Sequence, residues 1–202
     1  MQKYKELIFA SHNNGKIAEI RTILEPLGIR VLSGNDLKLP DVEETGKTFE
    51  ENAYIKALAA AREKNIPCIA DDSGLCVDAM NGRPGVFSAR YAPDHDFDKG
   101  MDKLLNELAE TKSSNRSAHF SCVIVLAHPN GNYKSFEGRV DGSIATKKSG
   151  HSGFGYDPIF IPTGYNRSFA EFDSDEKNKI SHRGRALQKF INYLTEESRI
   201  HE

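Results

Sequence analysis

Ile66-Pro67-Cys68-Ile69-Ala70-Asp71-Asp72-Ser73-Gly74-Leu75 sets a short apolar run directly against two carboxylates, a hydroxyl and a glycine. The run reads as a buried strand. A buried strand that ends in acids delivers them to the crevice at the edge of the sheet, where ligands bind in open α/β folds. The competing reading is an ordinary turn, since Asp, Ser and Gly all favour turns through local hydrogen bonds or positive φ. The rest of the chain weighs against the turn, because it supplies phosphate-binding groups, a second acidic cluster and a segment suited to a nucleobase.

Upstream, Glu6-Leu7-Ile8-Phe9-Ala10 reads as a strand that runs into Ser11-His12-Asn13-Asn14-Gly15-Lys16 and then into the periodic apolar set Ile17, Ile20, Ile23, Leu24 and Leu27. A strand, a small polar loop and a helix start present backbone N–H groups and a positive dipole end, which suit a phosphate, and Lys16 adds a full charge. The Walker pattern is absent, and an Asn-capped helix start would read the same way. Gly28 closes the helix, and Ile29 to Leu32 forms a second strand. Asp41-Val42-Glu43-Glu44-Thr45-Gly46 precedes a helix over residues 49–64, with Thr48 and Glu51 as a capping box and Phe49, Ala53, Ala57 and Ala61 as the buried stripe. Glu43 and Glu44 therefore lie on a loop, able to reach a metal or simply solvated. Lys56 lies beside the stripe, placed either to snorkel to water or to face an anion.

Downstream, Cys76 to Asp78 reads as a further short strand, and Asn81-Gly82-Arg83-Pro84-Gly85 as a shaped loop. A helix is expected from Asp96 to Leu108. A hairpin follows, of residues 118–127 and 133–138 around Pro129-Asn130-Gly131-Asn132, with a third strand near Val140 to Ala145. In Gly153-Phe154-Gly155-Tyr156-Asp157 the glycines expose an aromatic face able to stack a base, unless Phe154 is a core residue at a strand entry. Ser181 caps a final helix carrying Leu187, Phe190, Ile191 and Leu194, which puts His182 and Arg183 in its first turn. Cations there oppose the helix dipole, a hint that they serve a ligand, though a solvated basic turn is the plainer reading.

The 202 residues favour one folding unit with two lobes, and the formal net charge of −2 argues against a sequence-independent hold on nucleic acid or an anionic membrane. Cys68, Cys76 and Cys122 show no metal-ligand spacing and read as reduced core thiols. No segment approaches the apolar length of a membrane span, and the start Met1 to Glu6 reads as soluble and unprocessed.

With these residues in view, the chain resembles the inosine triphosphate pyrophosphatase family, the XTP/dITP diphosphatases. The resemblance runs through Ser11 to Lys16, Glu43-Glu44-Thr45-Gly46, Ala70 to Gly74, Phe154 to Asp157 and Ser181-His182-Arg183-Gly184. It implies an elongated mixed α/β fold with a central sheet flanked by helices, two lobes and a nucleotide cleft between them, and a cytoplasmic homodimer. It also implies hydrolysis of ITP, dITP or XTP to the monophosphate and pyrophosphate. Cleaving the α–β anhydride calls for a divalent ion, carboxylates to hold it, lysines for the leaving group and a base for water. By resemblance Glu44 and Asp72 hold Mg²⁺, Asp72 accepts the proton and Asp71 supports it. Ser11, His12, Asn13, Asn14, Gly15, Lys16 and Lys56 take the phosphates, and Ser73 adds a hydroxyl contact. Phe154, Gly155, Tyr156, Asp157, Lys177, His182 and Arg183 take the sugar and base. Two rival readings are a nucleotide sensor without turnover, which has no need of the acid pair, and a Maf-type pyrophosphatase, which the base-side motifs disfavour.

Overall fold

The computed structural model describes residues 4–200, so the reading of the chain's start as unprocessed falls partly outside the described residues. The chain forms β1 (Glu6–Phe9), α1 (Asn14–Leu24), β2 (Arg30–Ser33), α2 (Phe49–Lys64), β3 (Cys68–Val77), α3 (Phe97–Glu110), β4 (Ser117–Ala127), β5 (Tyr133–Ile144), β6 (Phe160–Pro162), α4 (Ser174–Ile180) and α5 (His182–Ile200). The strands make one sheet in the order β2-β1-β3-β4-β5-β6. β1 pairs in parallel with β2 and β3, whereas β5 and β6 are antiparallel, so the sheet is mixed, as expected.

The chain divides into two compact units. The first takes the chain up to Asp72, Cys122–Gly138 and the chain from Arg183 onward; the second takes Ser73–Ser121 and Arg139–His182. Two of the sequence motifs are therefore divided, one between Asp72 and Ser73 and the other between His182 and Arg183.

Strand alternation builds the core of the first unit. Leu7 and Phe9 of β1, Ile69 of β3 and Cys122, Ile124 and Leu126 of β4 meet Ile17, Ile20 and Leu24 of α1 and Leu187 and Phe190 of α5. The intervening residues turn to the other face, where Ala70, Val123 and Val125 pack on Ala53 and Ala57 of α2, and Ile8 and Cys68 pack with Ala60 and Ala61. Alanine at successive turns of α2 brings that helix close to the sheet. The second unit has its own core, in which Leu75, Val77, Leu104, Phe120, Tyr156, Phe160 and Phe169 are central.

Several local expectations change. β3 does not stop at the acids but continues through Asp-Asp-Ser-Gly to Val77, absorbing the separate strand expected at Cys76. The strand that ends there is its neighbour. β1 matches Ile8 and Phe9 to Cys68 and Ile69, and its last bond to β3 runs from Ala10 N–H to the Ile69 carbonyl. The expected third strand near Val140 is the far end of β5. Residues 174–180 form a short helix of their own, with Asp173 and Glu176 as a reciprocal capping box. At α2, Thr48 accepts from Glu51 N–H as expected, but the Glu51 carboxylate reaches Lys47 N–H instead of closing the box on Thr48. Cys68 and Cys122 are buried and Cys76 only partly so. Burial pushes the Cys68 thiol up to about 11, which keeps it protonated and unreactive.

Candidate active site

The first unit gathers most of the acids and lysines singled out in the sequence. Asp71 continues the Ile69 face of β3 towards α1 and α5. Its Oδ1 accepts from Lys16 Nζ at 3.3 Å, and its Oδ2 accepts from Arg183 Nε at 3.2 Å and Nη2 at 3.1 Å. The remaining arm of the guanidinium donates to Glu19. Burial opposes ionisation of Asp71, but Lys16, Arg183 and Lys56 override it and hold the carboxyl well below the usual range. Arg183 is itself only 1% exposed, and although burial works against its charge, Glu19 and Asp71 keep it firmly protonated. Its place in the first turn of α5 thus has a structural explanation: it neutralises a buried acid on β3.

Asp72 continues the Ala70 face towards α2, where Asn52 Nδ2 donates to its Oδ2 at 3.1 Å. Burial is the chief influence on this carboxyl and Glu44 adds to it; against Lys56, Lys16 and the Asn52 bond, they raise its pKa to about 6. A carboxyl so poised accepts and releases a proton near neutral pH. Two neighbouring acids pushed in opposite directions mark one as an anchor and the other as a candidate base. Lys56 does not snorkel away. Its Nζ lies 3.1 Å from Glu44 Oε1, and Asp72, Asp71 and Glu44 raise its pKa against the burial that would lower it.

The Ser11 to Lys16 loop leaves β1, the strand paired with β3, and is held in place by residues that the sequence reading missed. Asn13 caps α1 by accepting from Lys16 N–H at 3.0 Å, and Ser11 Oγ accepts from Asn13 N–H at 3.2 Å. Asn35 Nδ2 donates to the His12 carbonyl at 3.2 Å and to Asn14 Oδ1 at 3.1 Å, while its Oδ1 lies 2.9 Å from His12 Nδ1. The His12 ring also reaches Asp41 at 3.5 Å. A Cβ at Gly34 would come within 2.8 Å of the Ser11 carbonyl, so only glycine fits where β2 hands on to this loop. Asn35, Glu19 and Asn52 carry no motif. The one available signal was the spacing of Asn52 and Lys56, which places both on one side of α2.

In the second unit, Gly153 and Gly155 hold φ of +71° and +63° on either side of Phe154. The loop they form is pinned by Asp157, whose Oδ2 accepts from Phe154 N–H at 3.0 Å and from Lys177 Nζ at 2.6 Å. Phe154 is partly exposed, with Lys177 Nζ 5.0 Å above its ring, a cation–π arrangement. Tyr156 is buried: its ring packs edge-on to Phe97, and its hydroxyl donates to the Ser88 carbonyl at 2.6 Å. The buried His182 ring stacks on Phe120 at 4.6 Å. Ser73 follows Asp72 on β3 and is partly exposed.

Among the described residues no group of three or more His, Cys, Asp or Glu side chains could hold a metal. Glu44 and Asp72 could contribute a smaller, all-oxygen set. Two carboxylates completed by water and substrate phosphates are what Mg²⁺ uses in nucleotide sites, so the residues present fit that ion.

The fold and these side chains define a mixed-sheet α/β protein that collects carboxylates and lysines where a parallel strand gives out. The chain belongs to the Ham1 family, whose model matches residues 7–193. It is 48% identical over 192 residues to a dITP/XTP pyrophosphatase of Bacillus subtilis, covering 94% of this chain and 97% of that one. It is 44% identical over 202 residues to the dITP/XTP pyrophosphatase of Agrobacterium fabrum, covering 93% and 94%. Among solved structures, a HAM1 protein from Coxiella burnetii matches with a TM-score of 0.87 at 44% identity, covering 95% of this chain and 98% of that one. No helix among the described residues is long and apolar enough to cross a membrane.

Proposed function

We propose that this chain is a nucleoside triphosphate pyrophosphohydrolase that cleaves ITP, dITP and XTP to the monophosphate and pyrophosphate. The observation that carries the reading is the split between Asp71 and Asp72: an acid locked as an anion by Lys16 and Arg183 stands next to one whose pKa is about 6. A non-catalytic nucleotide sensor has no use for such a base, and relatives at this level of identity are named dITP/XTP pyrophosphatases.

Asp72 takes a proton from the attacking water, whose oxygen bonds to the α-phosphorus as the bond from that phosphorus to the bridging oxygen breaks. Lys16 and Lys56 bear the charge that develops on the departing pyrophosphate, and Ser11, His12, Asn13, Asn14 and Gly15 offer further donors to phosphate oxygens. Glu44 and Asp72 would hold Mg²⁺, which would supply positive charge to neutralise the triphosphate. Ser73 adds a hydroxyl. Phe154 stacks the base, Lys177 and His182 read its edge, and Gly155, Tyr156, Asp157 and Arg183 act by holding the loop and helix that carry them. The same reading makes the chain a cytoplasmic homodimer with no part for nucleic acid. A sedimentation mass of one chain at micromolar concentration overturns the dimer.

The deciding assay is pyrophosphate release from ITP, dITP and XTP with Mg²⁺ and with EDTA. Monophosphate and pyrophosphate in equal amounts, lost on chelation, are expected. No hydrolysis, or release of orthophosphate in place of pyrophosphate, overturns the proposal.

A further inference from the structure

Asn52 is fully buried and spans two parts of the first unit. Its Oδ1 accepts from Gly46 N–H at 2.8 Å, and its Nδ2 donates to Asp72 Oδ2 at 3.1 Å. The orientation of this amide is fixed by chemistry, because a backbone N–H can only donate. The atom facing Gly46 must therefore be oxygen, and the atom facing Asp72 must be the NH₂ group. The contact with Gly46 also depends on that residue having no side chain: a Cβ there would lie 2.6 Å from Asn52 Oδ1 and 2.7 Å from Glu51 Cβ. Glu44 is two residues before Gly46, so one side chain ties the segment carrying one acid to the second acid.

We propose that Asn52 is a positioning residue for the hydrolysis: by donating to Oδ2 it fixes the rotation of the Asp72 carboxylate that meets the reacting water. This rests on the reading of Asp72 as the base. A carboxylate attached by one freely turning bond loses rate when its orientation is not held, even if it remains in place. The amide supplies that hold without adding a charge, whereas an acid in its place would repel Asp72. The Gly46 bond acts one step further back, since it denies the amide its alternative flip.

Two variants separate this role from simple tethering. Asn52→Asp keeps an oxygen for Gly46 N–H but cannot donate to the ionised Asp72; Asn52→Ala removes both bonds without adding charge. Each is assayed for ITP hydrolysis well below its melting temperature. For every variant that folds, kcat is expected to fall about 10- to 100-fold with KM within about twofold of wild type. A folded Asn52→Asp with wild-type kcat overturns the inference and reduces Asn52 to a loop tether. A fall confined to KM overturns it as well. If Asn52→Asp does not fold, Asn52→Ala decides by the same criteria, and failure of both to fold overturns the inference by making Asn52 a core support. A wild-type protein inactive on ITP would instead be the failure of the proposed function.

Discussion

Asp71 and Asp72 are consecutive residues on β3 that face opposite sides of the sheet, Asp71 bonded to Arg183 of α5 and Asp72 to Asn52 of α2. The alternation of a strand separates two carboxylates that a turn would have left side by side. The separation lets one be matched with two cations while the other is left under-compensated. A single dipeptide so provides both an anchor and a candidate base.

Replacing the candidate base Asp72 should cost activity and gain stability. Asp72 has a folded pKa of about 6, above its ordinary value of 3.8. Its proton therefore favours the folded state fully below pH 3.8, and that contribution is lost as pH rises through 6. Asp72→Asn escapes the loss. In metal-free protein the variant should gain stability over wild type between about pH 4 and pH 7, by up to roughly 3 kcal/mol, while kcat falls at least about 100-fold. The check is thermal melting across that range alongside ITP turnover. A melting difference that does not change with pH rules out the assigned environment.

Asp71 should behave in the reverse sense. Its carboxyl is held below the ordinary value, so its contribution is present above that value and disappears as pH falls through the folded one. Removing a partner leaves a buried charge uncompensated, and Asp71→Asn or Arg183→Ala should each cost about 3–5 kcal/mol. In urea unfolding at neutral pH, a pair made from both changes should lose less than the sum of the two. Additive losses would mean that the ion pair does not couple the helix to the strand.

The residues explain what could be read in advance. The starts of α1 and α2 were legible because Asn13 and Thr48 cap them through neighbours three positions on, and the core faces because apolar periodicity is local. The continuation of β3 was not legible. Asp-Asp-Ser-Gly favours a turn in isolation, and a strand persists there because the sheet overrides local preference. Arg183 was placed in the right turn, but its partner Asp71, 112 positions away, was not readable from the sequence. Asn35 and Asn52 were invisible for the same cause: an asparagine means little until its partners are known.

Lys16 and Lys56 should differ despite equal charge. Lys16 bonds the anchoring acid Asp71, and Lys56 bonds Glu44, a proposed ligand for the ion. Lys56→Met removes a cation beside Glu44 and Asp72 and leaves that pair more negative, so it should lower the Mg²⁺ required for half-maximal rate even as it lowers kcat. Both substitutions should reduce kcat by about 10²-fold or more, the scale for losing a preorganised charge at the reacting phosphates. Steady-state rates over a Mg²⁺ titration test this. A Lys56→Met enzyme restored to wild-type kcat by excess Mg²⁺ would show that the lysine only stands in for the ion.

On the proposed function, base selectivity should follow from donors and acceptors on the second unit. Hypoxanthine and xanthine carry a keto oxygen at position 6 that accepts, whereas adenine carries an amine there that donates. Lys177 only donates, and His182 donates when suitably protonated. Arg183 has donors engaged with Asp71 and Glu19, so the discrimination is tested first on Lys177 and His182. Phe154 contributes differently, because stacking on an aromatic face is nearly blind to which base is stacked. Phe154→Ala should therefore raise KM for ITP by about 5- to 100-fold while leaving the ratio of kcat/KM between ITP and ATP unchanged. Lys177→Gln should lower that ratio at least about tenfold, since a site that loses its charged donor no longer strands adenine's amine against it. It also frees the Asp157 carboxylate that pins Phe154, so its melting temperature must be measured beside its rates. The test is kcat/KM for ITP, XTP and ATP on wild type and both variants. A wild type that hydrolyses ATP as efficiently as ITP refutes the scheme, and a Lys177→Gln enzyme that remains as selective as wild type removes Lys177 from it.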